Sequence, residues 1–223
     1  MEATTGSGKT LAFAVPVVEI LLNNFTISKI HNIGAMILAP SRELALQINE
    51  IVNKLINYNH KLKLRCQLFV GGTPIQNDIQ EFEKYGAQIL VGTPGRMMDI
   101  INRCTFMNLK TLEVLVLDEA DTLLDLGFQN TINQILSLLP KQRRTGLFSA
   151  TQTKEVKALA RAGMRNPVSI TVNVKINHAH SQLQNNSSLH ISTPSTLENW
   201  FTVSGVNLFS SSYLFNIFIK SNY

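Results

Sequence analysis

Cysteine is scarce in this chain, which argues against both a disulfide scaffold and a structural zinc site. The 223 residues include two cysteines, Cys66 and Cys104, and these do not form a Cys-x-x-Cys pair. The five histidines show no metal-ligand spacing either. A reduced intracellular compartment is therefore the expected environment.

Targeting signals and long apolar runs are also missing. Residues Met1–Thr5 have neither the basic region nor the apolar stretch of a signal peptide. The longest apolar-rich run, Val206–Ile219, is broken by polar residues and is too short to span a bilayer. Charged residues make up only 16% of the chain and hydrophobic residues 44%, so a sizeable core is expected. The formal net charge of +5 fits a nucleic-acid partner and fits a slightly basic soluble protein nearly as well.

Six short apolar runs predict buried parallel strands, because most of them are continuous rather than alternating. They are Ala35–Ala39, Gln67–Val70, Ile89–Gly92, Val114–Leu117, Thr145–Ser149 and Val168–Val172. Between them, apolar residues recur at helical spacing, as in Leu44–Leu55, Ile75–Phe82 and Ile132–Leu139. This alternation predicts a doubly wound α/β domain with a mainly parallel sheet, whose ligands bind at the carboxyl ends of the strands.

The segment Ala3–Thr10 matches a phosphate-binding loop, except that Ala3 replaces the first glycine. Its glycines allow a tight turn that points backbone N–H groups at phosphate oxygens. Its lysine reaches the β and γ phosphates of ATP, and its last threonine offers a hydroxyl to Mg²⁺. A helix over Leu11–Leu22 places a positive dipole end at the same point. The alternative for this motif alone is a chance glycine-rich turn. The expected nucleotide-binding residues are Thr5, Gly6, Ser7, Gly8, Lys9 and Thr10.

A second motif joins the apolar run Val114–Leu117 to paired carboxylates. Asp118, at the end of a strand, can hold Mg²⁺ through water, and Glu119 can orient the water that attacks the γ phosphate. The alternative is an ordinary acidic helix start, where carboxylates complement the helix dipole. The phosphate loop upstream makes the catalytic interpretation the stronger one.

Together, Ala3–Thr10 and Asp118-Glu119-Ala120-Asp121 resemble the DEAD-box RNA helicases. Further matches follow in the order typical of that family, up to about Val172. They are Pro40-Ser41-Arg42-Glu43-Leu44, Gly71-Gly72, Thr93-Pro94-Gly95-Arg96 and Ser149-Ala150-Thr151. The resemblance implies a RecA-like domain that binds ATP, Mg²⁺ and RNA. A different phosphate-loop ATPase, such as a transporter subunit, does not account for this ordered set.

The resemblance also assigns roles to individual residues. It implies that Arg42, Gly72, Thr93 and Arg96 contact the RNA backbone, and such contacts carry little sequence information. For either arginine alone, the alternative is an ordinary surface or salt-bridged side chain. The hydroxyls of Ser149-Ala150-Thr151 would couple the ATP state to the RNA state through the acidic motif, with strand-end capping as the alternative. The implied catalytic set is Lys9, Asp118, Glu119, Ser149 and Thr151.

The resemblance predicts an incomplete domain. Residues 1–175 form the first RecA-like domain, but the strand that should feed the phosphate loop is missing, which is expected to expose two strand edges. Residues 176–193 read as a polar linker, so their histidines are expected to be solvated rather than metal ligands. Residues 194–203 resemble the entry into a second RecA-like domain, and 204–223 form an unrelated tail. Without an arginine finger, ATP hydrolysis should be very slow.

Two segments, Leu139–Thr153 and Thr193–Trp200, are similar to the nucleolar DEAD-box helicases of large-ribosomal-subunit assembly. This similarity implies a role in ribosome biogenesis, with pre-rRNA and pre-ribosomal particles as partners, in the nucleolus. The missing elements leave an alternative open: a catalytically inactive nucleotide- or RNA-binding fragment, or an incorrectly predicted, truncated product.

Overall fold

The computed structural model describes residues 9–24, 29–58, 64–164, 167–173 and 216–222. Its strands are β1 Ala35–Leu38, β2 Cys66–Phe69, β3 Ile89–Gly92, β4 Val114–Leu117, β5 Arg144–Ser149, β6 Val168–Asn173 and β7 Asn216–Asn222. Its α-helices are α1 Lys9–Asn24, α2 Arg42–Tyr58, α3 Ile75–Tyr85, α4 Pro94–Arg103, α5 Ala120–Asp125, α6 Gln129–Leu138 and α7 Lys154–Gly163. Within these ranges no helix is long and apolar enough to cross a membrane.

The strands form one parallel sheet in the order β2-β3-β1-β4-β5-β7-β6. The six strands predicted from apolar runs, β1 to β6, are confirmed, with ends that differ by at most one residue. The α/β fold class is confirmed as well. The expected linker, 176–193, lies outside the described residues, as does the segment 194–203.

Helices cover both faces of the sheet, which explains why strands such as β1 and β4 are apolar throughout. Along β4, Val114 and Val116 join the core under α1 and α2. Leu115 and Leu117 join the opposite core, under α3 to α7. Because successive side chains of a strand point to opposite faces, every position of β4 is buried.

The helices predicted from periodicity are confirmed as α1, α2, α3 and α6. The helices α4, α5 and α7 were not predicted individually, because they are short and begin within or just after motifs that the sequence assigns to ligand contacts. Local side-chain chemistry explains where two of these helices, α4 and α7, begin. Pro94 occupies the first turn of α4, where a missing N–H costs nothing. At α7, the Thr153 side chain accepts a hydrogen bond from the Val156 N–H, 3.2 Å away.

The strand β7 lies between β5 and β6, although it comes last in the chain. Its backbone pairs with both neighbours, so Ile219 lies opposite Phe148 on β5 and Ile170 on β6. The sequence predicts an unrelated tail here and two exposed strand edges nearby. In the structure both edges are paired, by a segment rich in isoleucine and phenylalanine, which favour strands. This part of the tail therefore belongs to the sheet.

The position of β7 predicts that its backbone N–H groups support the fold. Proline in a central strand removes a ladder hydrogen bond. Ile219→Pro is therefore expected to lower the melting temperature by roughly 3–10 °C, since a lost buried hydrogen bond costs about 1–3 kcal/mol. Ile219→Val, which keeps the amide, is the matched control, and circular dichroism is the measurement. Equal melting temperatures for the two variants would contradict the pairing.

Candidate functional site

The motif residues predicted from sequence gather along one edge of the sheet. Ser41 follows β1, Gly71 follows β2, Thr93 follows β3, Asp118 follows β4 and Ser149 ends β5. Because the strands are parallel, their carboxyl ends share this edge. Two cavities open there, on adjacent parts of the edge.

The first cavity, of about 140 Å³, lies at the ends of β4 and β5. Its lining residues are Lys9, Asp118, Glu119, Asp121, Thr122, Phe148, Ser149 and Ala150. Lys9 is the first residue of α1, and the helix is held against the sheet by Phe13, whose ring lies 5.1 Å from that of Phe148. The lysine predicted for the phosphates and the predicted carboxylates thus meet in one cavity.

Asp118 is a buried carboxylate with only 4% of the residue exposed. Burial raises its pKa from 3.8 to about 6, and the nearby carboxylates of Glu119 and Asp121 act in the same direction. The backbone N–H of Glu119, which donates to Asp118 Oδ1 at 3.0 Å, and the charge of Lys9 act against this shift. A cation at this point would favour the ionised carboxylate.

Glu119 has the left-handed backbone conformation, with φ 46° and ψ 55°. Among the described residues it is the only non-glycine with a positive φ. A side chain in this conformation costs roughly 1–3 kcal/mol and occurs most often at functional sites. The conformation turns the chain sharply between β4 and α5, and Glu119 lines the cavity at this turn.

Asp121 connects the acidic motif to the segment after β5. Its Oδ2 accepts hydrogen bonds from the N–H and the hydroxyl of Thr151, both at 2.9 Å. The Ser149 hydroxyl donates to the Thr151 carbonyl at 2.8 Å. Burial alone would raise the pKa of Asp121, but the hydrogen bonds from Thr151, Thr122 and Ser149 hold this pKa below its ordinary value. The contact predicted between the hydroxyl motif and the acidic motif is therefore present.

The oxygen donors around this cavity fit a magnesium ion that reaches the protein largely through water. Asp118 and Thr10 are the predicted ligands, and both offer the oxygen atoms that Mg²⁺ prefers. Asp118 lines the cavity, whereas Thr10 follows Lys9 in α1 and is not among the lining residues. Among the described residues no three His, Cys, Asp or Glu side chains form a direct metal cluster. Such a site suits an ion shared with a bound phosphate, since Mg²⁺ usually keeps several waters and few protein ligands.

The second cavity is larger, about 790 Å³, and lies at the ends of β1, β2 and β3. Its lining residues are Pro40, Ser41, Arg42, Glu43, Gly71, Thr73, Ile75, Thr93, Gly95, Arg96, Asp99, Arg103 and Phe128. Three of the four residues predicted to contact RNA, Arg42, Thr93 and Arg96, line this groove. The fourth, Gly72, lies next to the groove, beside Arg42.

Arg42 lies across the glycine pair. A Cβ atom on Gly72 would stand 2.6 Å from Arg42 Nη1, and one on Gly71 would stand 3.3 Å from Nη2. Gly72 also has φ +106°, which L side chains rarely adopt. The pair is therefore glycine because the loop must turn tightly beneath an exposed arginine.

Thr93 and Arg96 begin α4, beside the same loop. The Thr93 N–H donates to the Phe69 carbonyl at 3.1 Å, which ties the start of α4 to the end of β2. Pro94, the first residue of α4, has no N–H, but Gly95 and Arg96 follow it in the first turn and line the groove, at a helix start that favours phosphate. Arg96, by contrast, has only 8% of its side chain exposed and is paired with Asp78.

The sequence did not identify every residue of the groove. Arg103 lies on the same side of α4 as Arg96 and Asp99, because these positions are spaced i, i+3 and i+7. The helical spacing downstream of Thr93–Arg96 could have indicated that Arg103 belongs to the groove. No sequence pattern indicates the same for Phe128, between α5 and α6. Four predicted residues, Thr5, Gly6, Ser7 and Gly8, lie outside the described residues.

Comparisons with known proteins identify the family to which the chain belongs. The model of the DEAD/DEAH box helicase family matches residues 1–159. The chain is 47% identical over 207 residues to the ATP-dependent RNA helicase DDX55 of Gallus gallus, which covers 91% of this chain and 33% of that protein. It is 47% identical over 202 residues to the DEAD-box ATP-dependent RNA helicase 18 of Arabidopsis thaliana, with 88% and 32% covered. The chain thus spans about a third of the length of the curated relatives it matches.

Solved structures agree. A DEAD box protein from Methanococcus jannaschii superposes with a TM-score of 0.63 at 40% identity, over 74% of this chain and 42% of that one. Mss116p, in a structure bound to single-stranded RNA and AMP-PNP, superposes with a TM-score of 0.64 at 34% identity, over 73% and 34%. The predicted RecA-like fold is confirmed. Since the family model covers well over half of the residues, the chain belongs to the DEAD/DEAH box helicase family.

Proposed function

We propose that this chain is the ATP- and RNA-binding part of an ATP-dependent RNA helicase, which couples ATP hydrolysis to local RNA strand separation. The observation that carries the proposal is the pair of adjacent cavities on one sheet edge. One is lined by a lysine and carboxylates, and the other by arginines and a helix N-terminus. This arrangement suits a nucleotide beside a nucleic-acid backbone.

In the nucleotide site, the proposed roles follow from the phosphate-loop motif and, for Lys9, Asp118 and Glu119, also from their positions in the cavity lining. Lys9 pairs with the β and γ phosphates, and the N–H groups of residues 5–8 cradle them. Thr10 and Asp118 would hold Mg²⁺, largely through water, and the ion would supply positive charge beside the phosphate oxygens. Glu119 orients the attacking water. The protein mainly positions groups and balances charge, which is what phosphoryl transfer requires.

In the RNA site, the contacts are directed at the backbone. Arg42 is exposed above the Gly71-Gly72 loop, and Thr93 begins α4, whose first N–H groups face the groove. Such groups bind phosphate and sugar without reading bases. Binding is therefore proposed to be independent of sequence.

The Asp121–Thr151 contact supports a link between the two sites. Asp121 starts α5, directly after the residues that handle Mg²⁺ and water, while Thr151 leads into α7. A change of charge at the nucleotide would act on a carboxylate that holds the segment after β5 in place. We propose that this contact transmits the nucleotide state.

The proposed biological setting is ribosome biogenesis, with pre-rRNA as substrate, pre-ribosomal particles as partners and the nucleolus as location. The support is the similarity of Leu139–Thr153 and Thr193–Trp200 to the nucleolar subgroup. The first segment lies within the described residues and contains β5 and the Thr151 contact, whereas the second lies outside them.

A second candidate function is nucleotide and RNA binding without turnover. It is motivated by the nucleotide cavity itself, where the described lining holds one cation, Lys9, and no arginine. An arginine finger is worth roughly 10³–10⁵ in rate. Robust RNA-stimulated hydrolysis by this chain alone would exclude this candidate.

The assignment of Glu119 predicts a separation of binding from hydrolysis. In a chain that carries the second RecA-like domain, Glu119→Gln is expected to lower RNA-stimulated ATP hydrolysis by roughly 10²–10⁴, because the group that orients water is lost. Binding of a fluorescent ATP analogue should persist, since the phosphate contacts remain. Phosphate release is the measurement, and Glu113→Gln, remote from the cavity, is the control. Undiminished turnover in Glu119→Gln would contradict this role.

The assignment of Arg42 predicts a change in the salt dependence of RNA binding. Each phosphate contact with single-stranded RNA contributes about 0.7 to the slope of log affinity against log salt. Arg42→Gln should therefore lower that slope by about 0.7, equally for RNAs of unrelated sequence. Fluorescence anisotropy over a salt series measures it. Lys54→Gln, about 18 Å further along α2, removes the same charge as a control; an identical slope change in both variants would argue against a specific contact.

The buried Asp118 predicts a pH-dependent stability. Because the folded state raises its pKa from 3.8 to about 6, protonation stabilises the fold below about pH 4, and this contribution is lost as the pH rises through 6. Without Mg²⁺, Asp118→Asn should thus be more stable than the parent chain at pH 7.5, by about 3 kcal/mol at most, and nearly equal at pH 4. Urea unfolding across this range is the measurement. Asp125→Asn, at an exposed position of α5, controls for charge, and a difference independent of pH would refute the prediction.

A further inference from the structure

The Arg96 guanidinium is engaged inside the protein rather than offered to a ligand. Its Nη1 lies 3.3 Å from Asp78 Oδ2, with 8% of the Arg96 side chain and 15% of the Asp78 side chain exposed. Its Nη2 donates a short hydrogen bond to the Thr73 carbonyl. Nη2 is therefore hydrogen-bonded within the protein, while Nη1 lies within ion-pair distance of Asp78 without hydrogen-bond geometry. The resemblance that places Arg96 on RNA does not account for this arrangement.

Asp78 is itself anchored to the sheet. Its backbone carbonyl accepts a hydrogen bond of 3.1 Å from the side-chain amide of Gln67, a buried residue on β2. The contacts therefore run from β2 through α3 to the start of α4. They end at Thr73, in the loop that follows β2. A planar guanidinium suits such a junction because it holds two partners in a fixed geometry.

The loop held by this junction carries the surface that faces Arg42. Gly72 has a positive φ and lies against the Arg42 guanidinium. Thr73, the next residue, is the one that Arg96 binds. A shift of this loop would move the support beneath Arg42 relative to the first turn of α4.

We propose that Asp78 and Arg96 are positioning residues: their ion pair fixes the Gly71–Thr73 loop against the start of α4, so that Arg42 and the α4 N–H groups form one phosphate-binding surface. Arg96 does not itself neutralise a phosphate. To do so it would have to leave Asp78, and the remaining carboxylate would be unpaired at a mostly buried position. The inference rests on the proposed binding of RNA in this groove.

The salt dependence of binding distinguishes positioning from direct contact. Arg96→Gln and Asp78→Asn are each expected to weaken binding of a single-stranded RNA roughly two- to thirtyfold, with the salt slope unchanged. The double variant should be no weaker than either single variant, because both remove the same junction. Arg42→Gln is the reference for a phosphate contact, with its slope lowered by about 0.7.

Two further variants sharpen the comparison. Arg96→Lys keeps the charge but loses the planar fork, so it should behave like Arg96→Gln. Glu50→Gln, at an exposed position of α2 outside the groove lining, removes one negative charge without touching Arg96, and it should not weaken binding. If Arg96→Gln lowers the slope by about 0.7, if Arg96→Lys binds like the parent chain, or if Asp78→Asn binds more tightly, Arg96 contacts phosphate and the proposal is wrong.

Hydrogen exchange tests the junction even if the chain does not bind RNA. Loss of the ion pair should speed exchange at Gly71–Thr73 in both Arg96→Gln and Asp78→Asn, whereas exchange in β4 should stay as in the parent chain. Unchanged exchange in this loop would overturn the proposal. Faster exchange in a chain that shows no RNA binding would instead count against the proposed function alone.

Discussion

Parallel pairing of β1 with β3 and β4 is the constraint on which both sites depend. It brings the ends of these strands, and of β2 and β5 beyond them, to one edge. Helices cover the strands on both faces, so most strand side chains are buried in the two hydrophobic cores. The residues that can contact a ligand are therefore those that follow the end of each strand. Neighbouring strands therefore contribute residues to both cavities. The hydrogen-bonded pairing of the strands fixes the distances between these residues.

The nucleotide site shows how unfavourable local energetics serve function. Asp118 is buried and Glu119 has a left-handed backbone, and both features cost stability without a ligand. A cation and a polyphosphate would relieve the electrostatic part of this cost, since they supply charge where the protein holds carboxylates and a lysine. Asp121 differs, because hydrogen bonds from Thr151 stabilise its charged form. On the proposed function, Asp118 would respond to the bound ligand, while Asp121 holds the segment after β5 through Thr151.

Much of this could be predicted from sequence, for reasons that also explain what could not. Strands β1 to β6 are short apolar runs, and buried parallel strands produce that pattern directly. Residues such as Lys9 and Asp118 stand at strand or helix ends, where motif spacing locates them. The pairing of β7 depends on contacts far apart in sequence, which no local pattern encodes. The same applies to Arg96, whose partner Asp78 lies on a different helix.

Arg96 and Arg42 illustrate why residue type alone does not decide a role. Both arginines follow the end of a strand, and both line the same groove. Arg42 begins α2 as an exposed residue above two glycines, so its charge faces solvent. Arg96 lies in the first turn of α4, within reach of a carboxylate on α3 and a carbonyl of the adjacent loop. A guanidinium so enclosed contributes through the groups it holds in place, and its charge is already balanced. On the proposed function, Arg42 would offer its charge to a polyanion, while Arg96 would keep the wall of the groove in position.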